Sequence, residues 1–251
     1  MLKRRIIPIE LLDGVRLIKT VGFSAPRDVG DPVKSSRVYS DQDADELVLL
    51  NISRENRDVK ALVDVVARIA EQCFVPLTVG GGIRCVEDAA KLFAAGADKV
   101  LVNSKAYTQP KLIAEIGDQY GKQAIVVGID ARFGATGFVL FSDCGRSREN
   151  VSLSNHVAAV VTAGAGEIMI QSIDRDGTMS GYDLNLLRAV IRGSPIPIIS
   201  AGGAGDFMHL KQAFDEGADA AACGSLFNFG DNNPLRAKAF LKNYGIPLKR
   251  T

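Results

Sequence analysis

The sequence predicts an α/β fold, a single (β/α)8 barrel spanning residues 1–251, and three observations carry that expectation. The first is an internal repeat. Pro76 to Ser104, PLTVGGGIRCVEDAAKLFAAGADKVLVNS, is echoed by Pro197 to Ser225, PIISAGGAGDFMHLKQAFDEGADAAACGS. Pro76 pairs with Pro197, Gly82 with Gly203, Gly96 with Gly217 and Ser104 with Ser225, always at one offset close to half the chain. Each copy runs apolar strand, glycine turn, amphipathic helix, GAD, second strand. That is a βαβ unit, whose parallel strands need a helical crossover. Two copies at half-chain spacing point to a duplicated half-barrel rather than an open sheet. The second observation is length, since 251 residues is the usual size of one such barrel. The third is that strand-like and helix-like segments alternate eight times with no linker-like or low-complexity stretch between them.

Taken in order, strand one is Arg5 to about Leu12, closed by the turn dipeptide Asp13-Gly14. Val15 to Gly30 reads as a long Gly- and Pro-bearing loop carrying Lys19 and Arg27, of a length usual for lids and binding loops. Asp31-Pro32 opens a helix to about Asp43, with aspartate as N-cap and proline in the first turn. Glu46 to Asn51 is strand two and Val59 to Gln72 an amphipathic helix. The first repeat supplies strands three and four. A helix near Pro110 to Tyr120 leads into strand five, Ala124 to Asp130. The insertion Ala131 to Asn150 reads as a small hairpin above the barrel. Strand six is Glu167 to Ile173, followed by the polar glycine loop Asp174 to Thr178. The second repeat gives strands seven and eight, and Leu235 to Tyr244 closes the chain as a helix.

Bulk composition excludes several function classes. Thirty Lys and Arg nearly balance 29 Asp and Glu, so no field for a polyanion is expected and nucleic acid is not a partner. Cys73, Cys85, Cys144 and Cys223 lack CxxC spacing and read as packing thiols. The apolar run after the first charges is far too short for a signal sequence or a membrane span, so the cytoplasm is the expected compartment. No HExxH or comparable spacing occurs, so neither a metal nor another cofactor is expected. His156 and His209 fall on predicted helices, away from strand ends, and read as helix-surface residues rather than catalysts.

The repeat also suggests a ligand. In barrels of this class the active site lies at the C-terminal ends of the strands, commonly with a phosphate after strands seven and eight. Gly202-Gly203 and Gly224-Ser225 fit such a cradle, with glycines admitting backbone N–H groups to an anion and a serine hydroxyl at a helix start. The repeat places the same devices after strands three and four, at Gly81-Gly82 and Asn103-Ser104. The two cradles face each other across the mouth and imply a small molecule with a phosphate at each end. The alternative is that these glycines only make tight βα turns.

Several stretches, RRII, RDVGDP, VGGGI, GADKVLVN, SIDRDGTMSGYD and AGGAG, give the chain its resemblance, over nearly its whole length, to the cyclase subunit of imidazole glycerol phosphate synthase. The resemblance implies the duplicated TIM barrel inferred above. It also implies a reaction in which ammonia from a partner glutaminase cuts and cyclises a bisphosphate ribonucleotide. Such chemistry needs a general acid and a general base flanking the substrate, and the family uses aspartates ending strands one and five. The second is present as Asp130, whereas the first falls on Leu11, which cannot move a proton. Glu10 alternates to the opposite face and should point toward the helices. Asp13 has the right parity, roughly 6–7 Å further along the strand, and is the candidate for a rescue. Two more family positions are altered, to Asn51 and Gln171, while Lys19, Asn103, Asp130, Asp174, Asp176 and Gly177 match.

Arg5, Glu46, Lys99 and Glu167 begin strands one, two, four and six and match the family in full. Two cations and two anions around a barrel end form a natural ion-pair ring that can simply seal and stabilise that face. The resemblance implies more, because in the family these positions gate the entry of ammonia from a glutaminase docked on the N-terminal rim. One branch is similar in IPIELLDGVRLIKTVGF and GSLF: cyclase-like proteins tied to acetamidino modification of surface sugars, working with a glutaminase and a sugar amidotransferase. Three functions therefore stand at this point: an ammonia-delivering barrel, an ordinary cyclase of histidine biosynthesis with a rearranged acid, and a non-catalytic activator of the glutaminase.

Overall fold

The computed structural model describes residues 3–249. Eight parallel strands follow one another in chain order: β1 (Arg5–Asp13), β4 (Leu47–Asn51), β5 (Leu77–Gly80), β6 (Lys99–Val102), β7 (Ile125–Gly134), β10 (Glu167–Ser172), β11 (Ile198–Ala201) and β12 (Ala220–Cys223). The last pairs with the first, Arg5 opposite Ala220 and Pro8 opposite Cys223, so the eight strands close into a barrel. Around it lie α1 (Pro32–Asp41), α2 (Lys60–Ala70), α3 (Val86–Ala94), α5 (Lys111–Tyr120), α6 (Leu153–Thr162), α7 (Leu184–Gly193), α8 (Phe207–Asp215) and α10 (Pro234–Lys242). One-turn helices α4 (Ser104–Thr108) and α9 (Ser225–Asn228) cap the ends of β6 and β12.

Period-two alternation sorts each strand between two cores. Ile6 and Leu12 of β1 join the large cluster between sheet and helices, whereas Ile7, Ile9 and Leu11 fill the barrel interior with Val48, Leu50, Leu101, Val126 and Met169. The interior is a packed apolar plug with polar layers at its two ends. The repeated GAD has a local purpose. Asp98 takes the backbone N–H of Leu77 at 2.8 Å, and Asp219 takes that of Ile198 at 3.0 Å, so each pins the start of a neighbouring strand. Asp45 does the same to Ile6 at 2.8 Å. Asp31 caps α1 by accepting from Lys34 N, with Pro32 in the first turn, as expected.

Two expectations are corrected. Val15 to Gly30 is not a loop but an antiparallel hairpin, β2 (Arg16–Val21) and β3 (Ser24–Gly30), with β2 paired to β1 at Leu11–Ile18. The reason is that β1 runs on past the barrel to Asp13 and offers β2 a free edge to pair with. Gly22 and Phe23, both at positive φ, make the turn. His156 is not on a helix surface: it is 3% exposed, and its ring stacks on Tyr107 at 3.9 Å between centroids. Burial lowers its pKa to about 4, so it packs as a neutral aromatic. His209 is half-buried on α8 and forms a capping box with Asp206. The insertion after β7 is the expected hairpin, with β8 (Gly137–Ser142) and the short β9 (Ser147–Arg148) continuing the sheet above the barrel.

Candidate active site

The C-terminal mouth holds a cavity of about 690 Å³. Its floor is apolar, built from inward residues Leu11, Ile18, Leu50, Leu101 and Met169, and its walls carry Asn103, Asp130 and Gln171. Asp130, on the fifth barrel strand β7, accepts from Asn103 Nδ2 at 3.1 Å, and the same amide donates to Gly128 O at 3.1 Å. The carboxyl of Asp130 is pushed up from 3.8 to about 7, first by burial and then by the charge of Asp176, with the Asn103 hydrogen bond opposing. A carboxyl so tuned can give or take a proton near neutral pH.

That tuning has a measurable sign. Between the ordinary carboxyl value and about 7 the native state holds a proton that the unfolded chain has lost. Stability therefore falls as pH rises through that window, then levels off. Asp130→Asn is expected to remove this slope, gaining on the order of 2–4 kcal/mol relative to wild type at pH 8 compared with pH 4. Urea midpoints of both proteins at the two pH values check it.

Leu11 faces Asp130's cavity, and Glu10 points the other way, as strand parity requires: Ser36 of α1 donates to Glu10 at 2.5 Å. Burial raises the Glu10 pKa, against hydrogen bonds from Ser35 and Ser36 and the charge of Lys19. Asp13 is exposed and lines the same cavity at its outer edge. Asn51 lies on the outer parity of β4, and its side chain is folded into its own loop, donating to Asn56 O at 3.2 Å and accepting from Ser53 N at 3.0 Å. Asp174 is exposed and accepts from Phe133 N at 3.0 Å, which ties it to the β7–β8 hairpin and away from the cavity lining.

Beneath the β2–β3 hairpin a second polar group gathers. Lys19 Nζ donates to Ile9 O at 2.5 Å, and burial lowers its pKa to about 8 against the charges of Glu10 and Asp176. Asp176 accepts from Thr20 Oγ1 at 2.7 Å, Phe23 N at 3.3 Å and Gln171 Nε2 at 3.2 Å. It thereby fastens the hairpin over the barrel. Gly177, Gly202, Gly203, Gly224 and Ser225 surround a space of about 30 Å³ here. On the other side Gly81, Gly82, Asn103 and Ser104 border the large cavity. Gly82 and Gly203 have positive φ, and a Cβ would lie 1.8 Å from Arg57 O in one case and 2.2 Å from Gly181 O in the other. Close loop packing therefore requires both glycines, whatever they bind.

Sequence reasoning missed Arg57, Asp143 and Cys144. Arg57 pairs with Asp143, which Arg146 also contacts at 2.9 Å, and donates to Cys144 Sγ at 3.5 Å. These side chains close one wall of the mouth, and only the meeting of two distant loops brings them together. Among the described residues no group of three or more His, Cys, Asp or Glu could hold a metal, and no helix is long and apolar enough to cross a membrane.

At the opposite end the four charged residues do form a ring. Arg5 reaches Glu46 at 2.6 Å and Glu167 at 2.5 Å, and Lys99 reaches the same two carboxylates at 3.1 and 2.5 Å. Burial alone would raise the pKa of Glu167, but the hydrogen bonds and charges of Arg5 and Lys99 hold it below the ordinary value. The ring is closed in this structure. Above it Thr78 faces inward, 1% exposed. The space beside Gly128 is taken up by Leu101, whose Cδ2 lies 3.0 Å from where a Cβ would be.

Comparison with known proteins agrees with this architecture. Residues 5–233 match the family described as Histidine biosynthesis protein. The chain is 42% identical over 249 residues, 98% of each chain, to the imidazole glycerol phosphate synthase subunit HisF of Frankia casuarinae.

Proposed function

Because the chain belongs to the histidine biosynthesis protein family, as a HisF-like barrel, we propose that it receives ammonia from a partner glutaminase and delivers it to an amidation other than imidazole ring closure. The glutaminase docks on the N-terminal rim, and ammonia enters when the ring of Arg5, Glu46, Lys99 and Glu167 opens. The acceptor sits in the mouth against Asp130. A nucleotide-linked sugar handled by a sugar amidotransferase is the acceptor that the IPIELLDGVRLIKTVGF stretch favours.

One observation carries this reading. Leu11 presents an aliphatic side chain to the cavity that Asp130 serves, so the site has one carboxyl of suitable tuning where acid–base ring closure needs two groups. Asn51 and Gln171, at two further altered positions, are both engaged in hydrogen bonds within the protein. The second reading is a lyase of the histidine type, with Asp13 as the missing acid, favoured by the position of Asp13 at the rim of the same cavity. An assay with the histidine-pathway bisphosphate and saturating ammonium separates them. Little or no imidazole product is expected. Turnover of about 1 per second, ordinary for an enzyme, would overturn the proposal.

A further inference from the structure

The wall behind Asp130 buries more polar atoms than it pairs. Asn103 donates to the Asp130 carboxyl and to Gly128 O, both at 3.1 Å, so its Nδ2 is engaged and its orientation fixed. Its Oδ1 is buried without a hydrogen-bond partner among the described residues. Asn103 is the N-cap of α4, and Tyr107 lies one turn on in the same short helix. The Tyr107 hydroxyl is buried and unpartnered too, and so is Nε2 of His156 on α6. The rings of Tyr107 and His156 stack at 3.9 Å and 7°. Rings so close and so nearly parallel keep their polar tips within reach of one bridging water.

Packing alone does not explain these residues. Phenylalanine at both places would stack as well and bury no polar atom, whereas an unpaired buried hydroxyl or imidazole nitrogen is destabilising. The fold does not require them either. At the offset of the internal repeat, Asn103 corresponds to Gly224 and Tyr107 to Asn228. The half of the barrel with Leu11 at its mouth thus lacks both the amide and the phenol, and the half with Asp130 has both.

Charge agrees with this placement. After burial, the charges of Asp130 and then Glu149 raise the Tyr107 pKa, so the hydroxyl lies within electrostatic reach of the mouth carboxyl. Two further titratable groups act with Asp130: Asp176, whose charge adds to burial in raising it, and the Cys144 thiol, pushed up by burial and by Asp130 and pulled down by Arg57. Among the described residues Asn103 is the one donor to the Asp130 carboxyl. Whatever polarises the Asn103 amide therefore acts directly on that carboxyl.

We propose that Tyr107 is a positioning residue for Asp130: through buried water its hydroxyl donates to Asn103 Oδ1 and strengthens the hydrogen bond from Nδ2 to the carboxylate, while His156 holds the phenol and the water in place. The effect favours the charged form of Asp130 and sets how readily the carboxyl gives its proton to the acceptor in the mouth. The inference rests on the reading of Asp130 as the acid–base group of that site.

Carbon-13 NMR of labelled aspartate carboxyls follows the Asp130 titration directly, with Asp130→Asn to assign the resonance. In the wild type the midpoint is expected at about 7. Tyr107→Phe keeps the stacked ring and removes only the hydroxyl, and is expected to raise the midpoint by about half a pH unit or more. His156→Phe keeps the stack and removes Nε2, and a smaller rise is expected. Tyr120→Phe is the control, because that ring stacks on Phe93 and does not line the cavity, and no change is expected. The sign separates the proposal from mere packing: a loosened wall admits water, relieves the burial of the carboxyl and lowers its midpoint. An unchanged or lowered midpoint in Tyr107→Phe would overturn the inference while leaving the reading of Asp130 intact. An unchanged midpoint in His156→Phe would remove His156 from it. A wild-type midpoint at the ordinary carboxyl value would overturn the inference together with the reading of Asp130 beneath it.

Discussion

Gly82→Ala is expected to destabilise the protein by about 3 kcal/mol or more, the largest effect of any single methyl group in the mouth. The added Cβ would lie 1.8 Å from Arg57 O, a backbone atom that cannot move without its loop, and the position has φ near +92°. Left-handed backbone already disfavours an L side chain there, and the clash adds overpacking. Relief requires the Arg57 loop to shift, which pulls on the Arg57–Asp143 ion pair at the wall of the cavity. Loss of ligand binding should therefore accompany loss of stability. Gly230→Ala is the control, because a Cβ there would meet nothing within 4 Å. Urea denaturation of both variants checks the contrast.

The barrel was legible because its strands obey simple parity and its second half repeats the first. The same parity placed Glu10 toward α1 and Leu11 in the mouth, and both side chains stand where alternation puts them. Alternation could not show what Asn51 does, since it lies at the end of β4 where loop hydrogen bonds, rather than the pleat, decide the place of a short amide. The β2–β3 hairpin was hidden for a different reason. The β3 sequence SAPRDVG carries proline and glycine and is largely exposed, so it shows no apolar alternation. Its pairing comes from the edge offered by β2, which no local pattern in β3 reveals. His156 was misplaced because its partner Tyr107 lies on another helix, and stacking across helices leaves no trace in either helix's period.

Lys99→Ala carries the second large effect and bears on the central claim, that ammonia passes through the ionic ring. In the wild type each cation bridges both carboxylates, and Glu46 and Glu167 are 6% and 7% exposed. Without Lys99 the two carboxylates share Arg5 alone, at a cost of about 3 kcal/mol, the scale for breaking a buried ion pair. A ring that only seals the barrel loses that stability and nothing else. A gate also loses control over where ammonia goes. The decisive measurement is made in the reconstituted system of barrel, glutaminase and acceptor enzyme, counting glutamate released and acceptor amidated in the same reaction. For Lys99→Ala, glutamine hydrolysis is predicted to continue while the amidated product falls well below one per glutamate. Equal yields of glutamate and amidated product in the variant, as in the wild type, would contradict passage through the ring.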